Sequence, residues 1–266
     1  MQMPRNAWKL QSWRSRMNFV KVSRKREIGT VQLSRGKVNA LNDEVVEEID
    51  HALSEMEAED SIRALILTGR GSFFTFGFDI PEFMNYSIDD FSTYLLNFTN
   101  LYSRIFIFPK PVIAALNGHT IAGGCMIASA CDYKLMVGGK AKISLNEISF
   151  GSSVFAGNTA ILKHCVGTRN AQEILFSGKM YTAEEAFKLG LIDEITSEDD
   201  LSAKAETAAM DLAAKDPVAF RSIKQILRRP VLEEIARFEK ESIKEFVDIW
   251  YSEHMRMNLS RIKISS

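Results

Sequence analysis

"GHTIAGGCMIASACDY", Gly118 to Tyr133, follows the apolar run "KPVIAAL", Lys110 to Leu116. The run is short, continuous and apolar, which is how a strand buried on both faces reads. Glycines 118, 123 and 124 then surround a turn, and a helix of small residues opens on Cys125 and Met126. A glycine loop between strand and helix brings backbone N–H groups close to something negative. The first helical turn carries no charge of its own to meet it.

The same alternation extends outward. "FVKVSRKREIGTVQLS" (19–34) reads as a hairpin, two β-leaning runs around a charged turn and Gly29. "LNDEVVEEIDHALSEMEAED" (41–60) spaces Val46, Ile49, Leu53 and Met56 for one helical face, with Asn42 or Asp43 as its cap. "RALILTG" (63–69) is a second buried strand, and "RGSFFTFGFDIPEF" (70–83) reads as a loop leading to a helix over about 89–108. "GHTIAGG" reads as a loop, "DYKLMV" and "AKISL" as further strands. Thr182 with Glu185 forms a capping box, Gly190 ends that helix, and "LIDEI" returns as a strand. From Leu201 onward the pattern is amphipathic helix, broken around Asp216-Pro217 and Arg229-Pro230. Strands alternating with helices place the chain in the α/β class with parallel pairing.

Bulk composition narrows the function. With 266 residues, 46% hydrophobic and 25% charged, the chain can bury a large core. A net charge of −1 with interspersed signs gives no footprint for nucleic acid, and no apolar run is long enough to span a membrane. Cys125, Cys131 and Cys165 form no CxxC pair, which points to buried thiols in a reducing compartment rather than a zinc site or disulfide framework. A cytoplasmic location is expected, with the mitochondrial matrix as the alternative. The segment "MQMPRNAWKLQSWRSR" (1–16) has four basic residues and no acid. It reads as a targeting segment, an expression remnant or an arm. The chain is therefore divided into an extension at 1–17, a core at 18–200 and a helical region at 201–266.

The glycine loop does not suit phosphate. A Walker loop needs Gly-Lys-Ser/Thr, whereas Cys125 and Met126 follow Gly124, and the glycine spacing misses the dinucleotide fingerprint. Main-chain N–H groups alone suit a transient oxyanion; close helix–strand packing explains the loop equally well. A second Gly-bearing segment, "SFFTFGFDI" (72–80), follows another buried strand, and such strand ends converge. The N–H groups of Phe78 and Gly123 would then supply two donors, with the Phe78 side chain of little consequence. In "KISLNEISFG" (142–151) the single carboxylate Glu147 sits among apolar neighbours, where burial would raise its pKa toward neutrality. Taken alone, it also reads as a surface or capping carboxylate. The four histidines show no nucleophile pairing and read as structural.

Together "VNAL" (38–41), "FGFDI" (76–80), "KPVIAALNGHTIAGGC" (110–125), "ACDY" (130–133) and "GKMYTAEEAFKLGLIDEI" (178–195) resemble the crotonase family, the enoyl-CoA hydratases and isomerases. The likeness covers nearly all of the chain from about Phe19. It implies a spiral of ββα units with a C-terminal helical trimerisation region, giving a homotrimer or a dimer of trimers. It implies an acyl-CoA ligand, with coenzyme A part of the substrate, and neither cofactor nor metal. The thioester oxygen would be held by Phe78 and Gly123. Coenzyme A would lie along Val38, Ala40 and Phe76, Gly77, Asp79 and Ile80, with Arg35 and Lys37 as candidate phosphate contacts.

Hydratases of this family carry one glutamate directly after Gly-Gly-Cys and another in the later strand–loop; here the positions hold Met126 and Glu147. "SLNE" also resembles the corresponding segment of mitochondrial-type Δ3,Δ2-enoyl-CoA isomerases. That implies Glu147 as the base, Asn146 lining the substrate site, and an apolar wall of Met126, Phe78 and Phe155. The alternatives are another crotonase-type acyl-CoA enzyme (hydratase, hydrolase or decarboxylase, for which Glu82, Asp79 or Glu147 could serve) and a non-catalytic acyl-CoA-binding protein.

Overall fold

The computed structural model of the chain describes residues 17–259; the basic segment 1–16 lies outside the described residues. The hairpin forms β1 (Val20–Lys25) and β2 (Ile28–Leu33), which pair antiparallel. Its reversal falls on Arg26, at a φ of 54°, and not on Gly29. Gly29 lies inside β2, where a Cβ would collide with Met56. Helix α1 (Asp43–Ala58) starts on Asn42, whose Oδ1 accepts from the Val45 N–H at 3.1 Å.

The chain then repeats one motif three times. First come β3 (Ala64–Gly69), β4 (Phe73–Thr75), a short α2 (Ile80–Phe83) and the long α3 (Ile88–Ile107). Next come β5 (Val112–Leu116), β6 (His119–Ile121) and α4 (Gly123–Ala130), and last β7 (Tyr133–Val137), β8 (Ile143–Ser144) and a 3₁₀ turn over Glu147–Phe150. After α5 (Ala156–Ser177) and the capped α6 (Ala183–Lys188), β9 (Glu194–Thr196) closes the sheet. The helices α7 (Leu201–Ala213), α8 (Pro217–Trp250) and α9 (Glu253–Leu259) complete the chain.

One sheet has the order β1-β2-β3-β5-β7-β9, parallel except for the β1–β2 hairpin. The short strands form a second, parallel sheet in the order β4-β6-β8. This second sheet corrects the sequence reading, which left 70–79 and 118–124 as loops. β4 and β6, three residues each, hold no full hydrophobic period, so nothing in the local sequence marks them, whereas β8 falls inside the strand read at "AKISL". Tertiary pairing makes them. Asn117 stitches the two sheets, accepting from the Gly69 N–H of β3 at 2.8 Å and donating to the Phe73 carbonyl of β4 at 3.1 Å. Gly118 lets that link pass directly against the Ser72 backbone, where a side chain has no room.

The C-terminal helices fold onto their own chain. Helix α7 packs on β3, β5 and β7, and α8 lies along α5 and α3. The expected break at Arg229-Pro230 is absent, because α8 runs unbroken through Pro230. Pro230 is exposed, so the carbonyl its ring frees can turn to water. On the inner side, Lys224 and Arg228 grip Asp132 at 2.7 and 2.9 Å. Asp132 also accepts from the Val112 N–H at 2.8 Å, tying α8 to the central strand. All three ion-pair side chains are at most 11% exposed. Removing one partner of such a buried group strands the remaining charges. Asp132→Ala should therefore lower unfolding free energy by about 3–5 kcal/mol, read from urea denaturation.

Candidate functional site

Three loops meet at the carboxyl ends of the parallel strands. The first is 76–79, held on one side by "VNAL": Phe76 N–H donates to the Val38 carbonyl at 3.0 Å, Leu41 N–H to Gly77 at 2.8 Å, and Asp79 N–H to Leu41 at 2.9 Å. Gly77 takes a φ of 96°, which a Cβ disfavours, and its own N–H donates to Thr75 Oγ1 at 3.0 Å. Thr75 is fully buried, and its Cγ2 and carbonyl would stand 2.7 and 2.8 Å from any Cβ at Gly124. One side chain thus fixes the turn before Phe78 and sets how near α4 comes to it.

The second loop ends at Ala122, a non-glycine residue at φ 50°, ψ −116°. Such a backbone stores roughly 1–3 kcal/mol of strain and persists only where its surroundings hold it. Here the Ala122 N–H donates to Ser144 at 2.8 Å and its carbonyl accepts from Met126 at 3.0 Å. The strained peptide leads into Gly123, where a Cβ would meet the Phe78 and Phe98 rings at 3.2 Å and Leu41 at 3.3 Å. The N–H groups of Phe78 and Gly123 donate to none of the hydrogen bonds among the described residues. The Phe78 side chain is more than incidental. Its ring meets Phe98, Tyr94 and Phe83 edge-on at 4.9, 5.2 and 5.8 Å, anchoring the loop that presents its amide.

The third element is the 3₁₀ turn, which begins with Glu147 and is closed by Gly151 at φ 89°. Helix α9 braces it through Asn258, which donates to the Phe150 carbonyl at 3.0 Å. Glu147 is 4% exposed, and among the described residues no side chain hydrogen-bonds either of its carboxyl oxygens. Burial pushes its pKa up to about 8. The Oδ1 of the preceding Asn146 is likewise buried and unpartnered.

These elements enclose a cavity of about 300 Å³. Seven of the residues singled out from the sequence line it: Phe76, Phe78, Ile80, Gly123, Met126, Asn146 and Glu147. Val38, Ala40, Gly77 and Asp79 do not; they shape the loops behind the wall. Asp79 caps α2 and pairs with Arg35 at 2.6 Å, while Arg35 also takes Glu82 at 2.9 Å and the Ala40 carbonyl. Arg35 is thus engaged as a brace, whereas Lys37 is exposed. Phe155 packs behind the wall on Phe246, ring centroids 4.6 Å apart, without lining it. Phe150, Phe246 and Trp250 line the cavity and were not anticipated. The signal available for the last two was the apolar spacing Ile243, Phe246, Val247, Trp250 along α8, which shows a buried face but not what it covers. Among the described residues lining the cavity, Glu147 is the single charged side chain, and Met126 occupies the first turn of α4 opposite no second carboxylate.

Residues 23–262 match the profile of the Enoyl-CoA hydratase/isomerase family, and the chain belongs to that family. Over 234 residues it is 29% identical to a short-chain-enoyl-CoA hydratase of Clostridium acetobutylicum, covering 86% of this chain and 89% of that one. Over 213 residues it is 31% identical to a probable enoyl-CoA hydratase of Bacillus subtilis, covering 79% and 82%. Among solved structures, the human mitochondrial Δ3-Δ2-enoyl-CoA isomerase has the same fold, with a TM-score of 0.88 at 23% identity over 91% of this chain and 96% of that one.

Two outcomes follow from the geometry. The folded chain holds the Glu147 proton up to about pH 8, while the unfolded chain releases it near 4.5. Between those values the unfolded state binds fewer protons, so the carboxyl destabilises the fold increasingly as pH rises. Glu147→Gln cannot ionise, and its melting temperature should exceed that of the parent by a margin that widens from about pH 5 to about pH 9. Thr75→Val removes the acceptor for the Gly77 N–H; kcat should fall roughly tenfold or more with KM little changed, whereas Thr75→Ser should retain most of the rate.

Proposed function

We propose that the chain is a Δ3,Δ2-enoyl-CoA isomerase, moving the double bond of an unsaturated acyl-CoA by a 1,3-proton transfer. The observation that carries this reading is the lone carboxyl in an otherwise uncharged cavity beside two free backbone N–H groups. The thioester oxygen would accept from Phe78 and Gly123. As the Glu147 carboxylate takes a proton from C2, the pair of electrons moves into a dienolate whose oxygen those amides stabilise; each such donor is worth about 3–4 kcal/mol of barrier. The same carboxyl then returns the proton to C4, and the double bond comes to rest between C2 and C3. Desolvation supports both halves: it makes the carboxylate a stronger base and the protonated acid a local donor. Met126 and the aromatic wall would keep bulk water from the dienolate.

The relatives named as hydratases favour a second reading, addition of water to a 2-enoyl-CoA. That reaction uses a water polarised between two carboxylates, and the thioether of Met126 can do neither job. Self-association into a homotrimer, or a dimer of trimers, belongs to the same proposal. Val218, Ile223, Ile226 and Leu227, each at least 60% exposed on α8, offer an apolar stripe for it.

The reading is tested with 3-hexenoyl-CoA and crotonyl-CoA followed spectrophotometrically. We expect conversion of the first and negligible hydration of the second. Glu147→Gln should lower isomerisation by at least roughly 10²-fold while acyl-CoA still binds. In the parent, kcat/KM should rise with pH and level off above about 8, the pH at which the base becomes ionised. Fast hydration of crotonyl-CoA, or full turnover by Glu147→Gln, would remove this assignment.

A further inference from the structure

The proposed proton transfer uses Glu147 and two backbone amides, yet two further residues that line the same cavity each carry a buried polar atom with no protein partner among the described residues. One is the indole Nε1 of Trp250, in a side chain 1% exposed at the end of α8; the other is Oγ of Ser152. Trp250 is held by a tilted ring contact with Phe91, with centroids 4.6 Å apart and planes inclined by 34°. Ser152 is held by its own N–H, which donates to the Glu147 carbonyl at 3.0 Å. Neither residue is needed for a dry hydrocarbon pocket; a phenyl ring and a methyl group would fill the same places without leaving polar hydrogens unmatched. Buried donors without acceptors are costly and call for an occupant.

The chemistry of that occupant can be narrowed. An indole N–H only donates, so the atom it meets is an acceptor. A serine hydroxyl can donate as well. No cation lines the cavity among the described residues, so nothing there would neutralise a carboxylate or phosphate on the acyl tail. A cavity of about 300 Å³ is at the small end for a ligand site, which fits a short or medium acyl group. We propose that the enzyme's acyl group carries a neutral oxygen function, a ketone or hydroxyl beyond the reacting carbons, received by Trp250 Nε1–H and Ser152 Oγ–H. This inference rests on the acyl-CoA reading above.

Saturated esters cannot isomerise, so binding alone tests the subsite. Competition binding would compare hexanoyl-CoA with 5-oxohexanoyl-CoA and 6-hydroxyhexanoyl-CoA on the full chain. At least one oxygenated ester should bind about tenfold more tightly than hexanoyl-CoA. Ser152→Ala and Trp250→Phe, which keeps a ring against Phe91, should each shrink that advantage, and the double variant should abolish it. If the tryptophan variant fails to fold, by its melting curve, the Ser152→Ala result decides alone. Hexanoyl-CoA binding as tightly as both oxygenated esters, or an advantage undiminished by the folded variants, would overturn the proposal. Equal binding alongside intact 3-hexenoyl-CoA turnover would overturn the subsite alone. A preserved preference without turnover would instead overturn the isomerase reading.

Discussion

A carboxyl group sealed from water and given no side-chain hydrogen bond is the constraint around which the molecule is arranged. In solvent, Glu147 would be a weak base, permanently ionised at neutral pH. Beneath the aromatic wall its charged form loses more in hydration than the local backbone returns to it, so the proton affinity rises. That costs the fold stability increasingly as pH rises from about 4.5 toward 8, and in the proposed reaction a carboxyl poised near neutrality can both take and return a proton. Under the proposed isomerisation, the same isolation would give the Met126 position its weight. A second carboxylate there would bring a like charge and water with it, and the cavity would become suited to hydration.

The rest of the scaffold serves geometry. The small β4-β6-β8 sheet holds three loops at one place, and its pieces are locked by contacts that leave no room for side chains, Gly118 against Ser72 and Gly124 against Thr75, with Gly123 close against Phe78. Strain at Ala122 is the local cost of the turn that brings Gly123 to the cavity wall. Helix α8 contributes from the far end of the chain. Its basic residues clamp the buried Asp132, its Phe246 and Trp250 close one side of the cavity, and its partner helix α9 braces the turn that carries Glu147.

Much of this was legible in the sequence where the signal is local. Buried strands such as "VIAAL" and the amphipathic face of α1 follow from periodicity, and the Thr182–Glu185 capping box forms as spaced. Seven of the anticipated site residues meet in one cavity because glycine turns and apolar strand ends are local facts too. What escaped depends on contacts distant in sequence. β4 and β6 are too short to show a period and exist only because they pair with each other. Pro230 would end an isolated helix, but the Asp132 ion pairs made by Lys224 and Arg228 hold its flank. Arg35 looks like a free cation until the fold brings Asp79 and Glu82 to it, and the Phe78 ring becomes an anchor only once α3 arrives with Tyr94 and Phe98. Trp250 reaches the site across about a hundred residues of chain, which no local pattern encodes.

The central claim is that a single shielded carboxyl carries the hydrogen from C2 to C4. Its most direct measurement is NMR of the product formed in ordinary water from 3-hexenoyl-CoA deuterated at C2. A shielded Glu147 predicts deuterium at C4 of the 2-enoyl product during early turnover. Product whose C4 holds only solvent hydrogen from the first turnover, or a 3-hydroxyacyl product in its place, would contradict it.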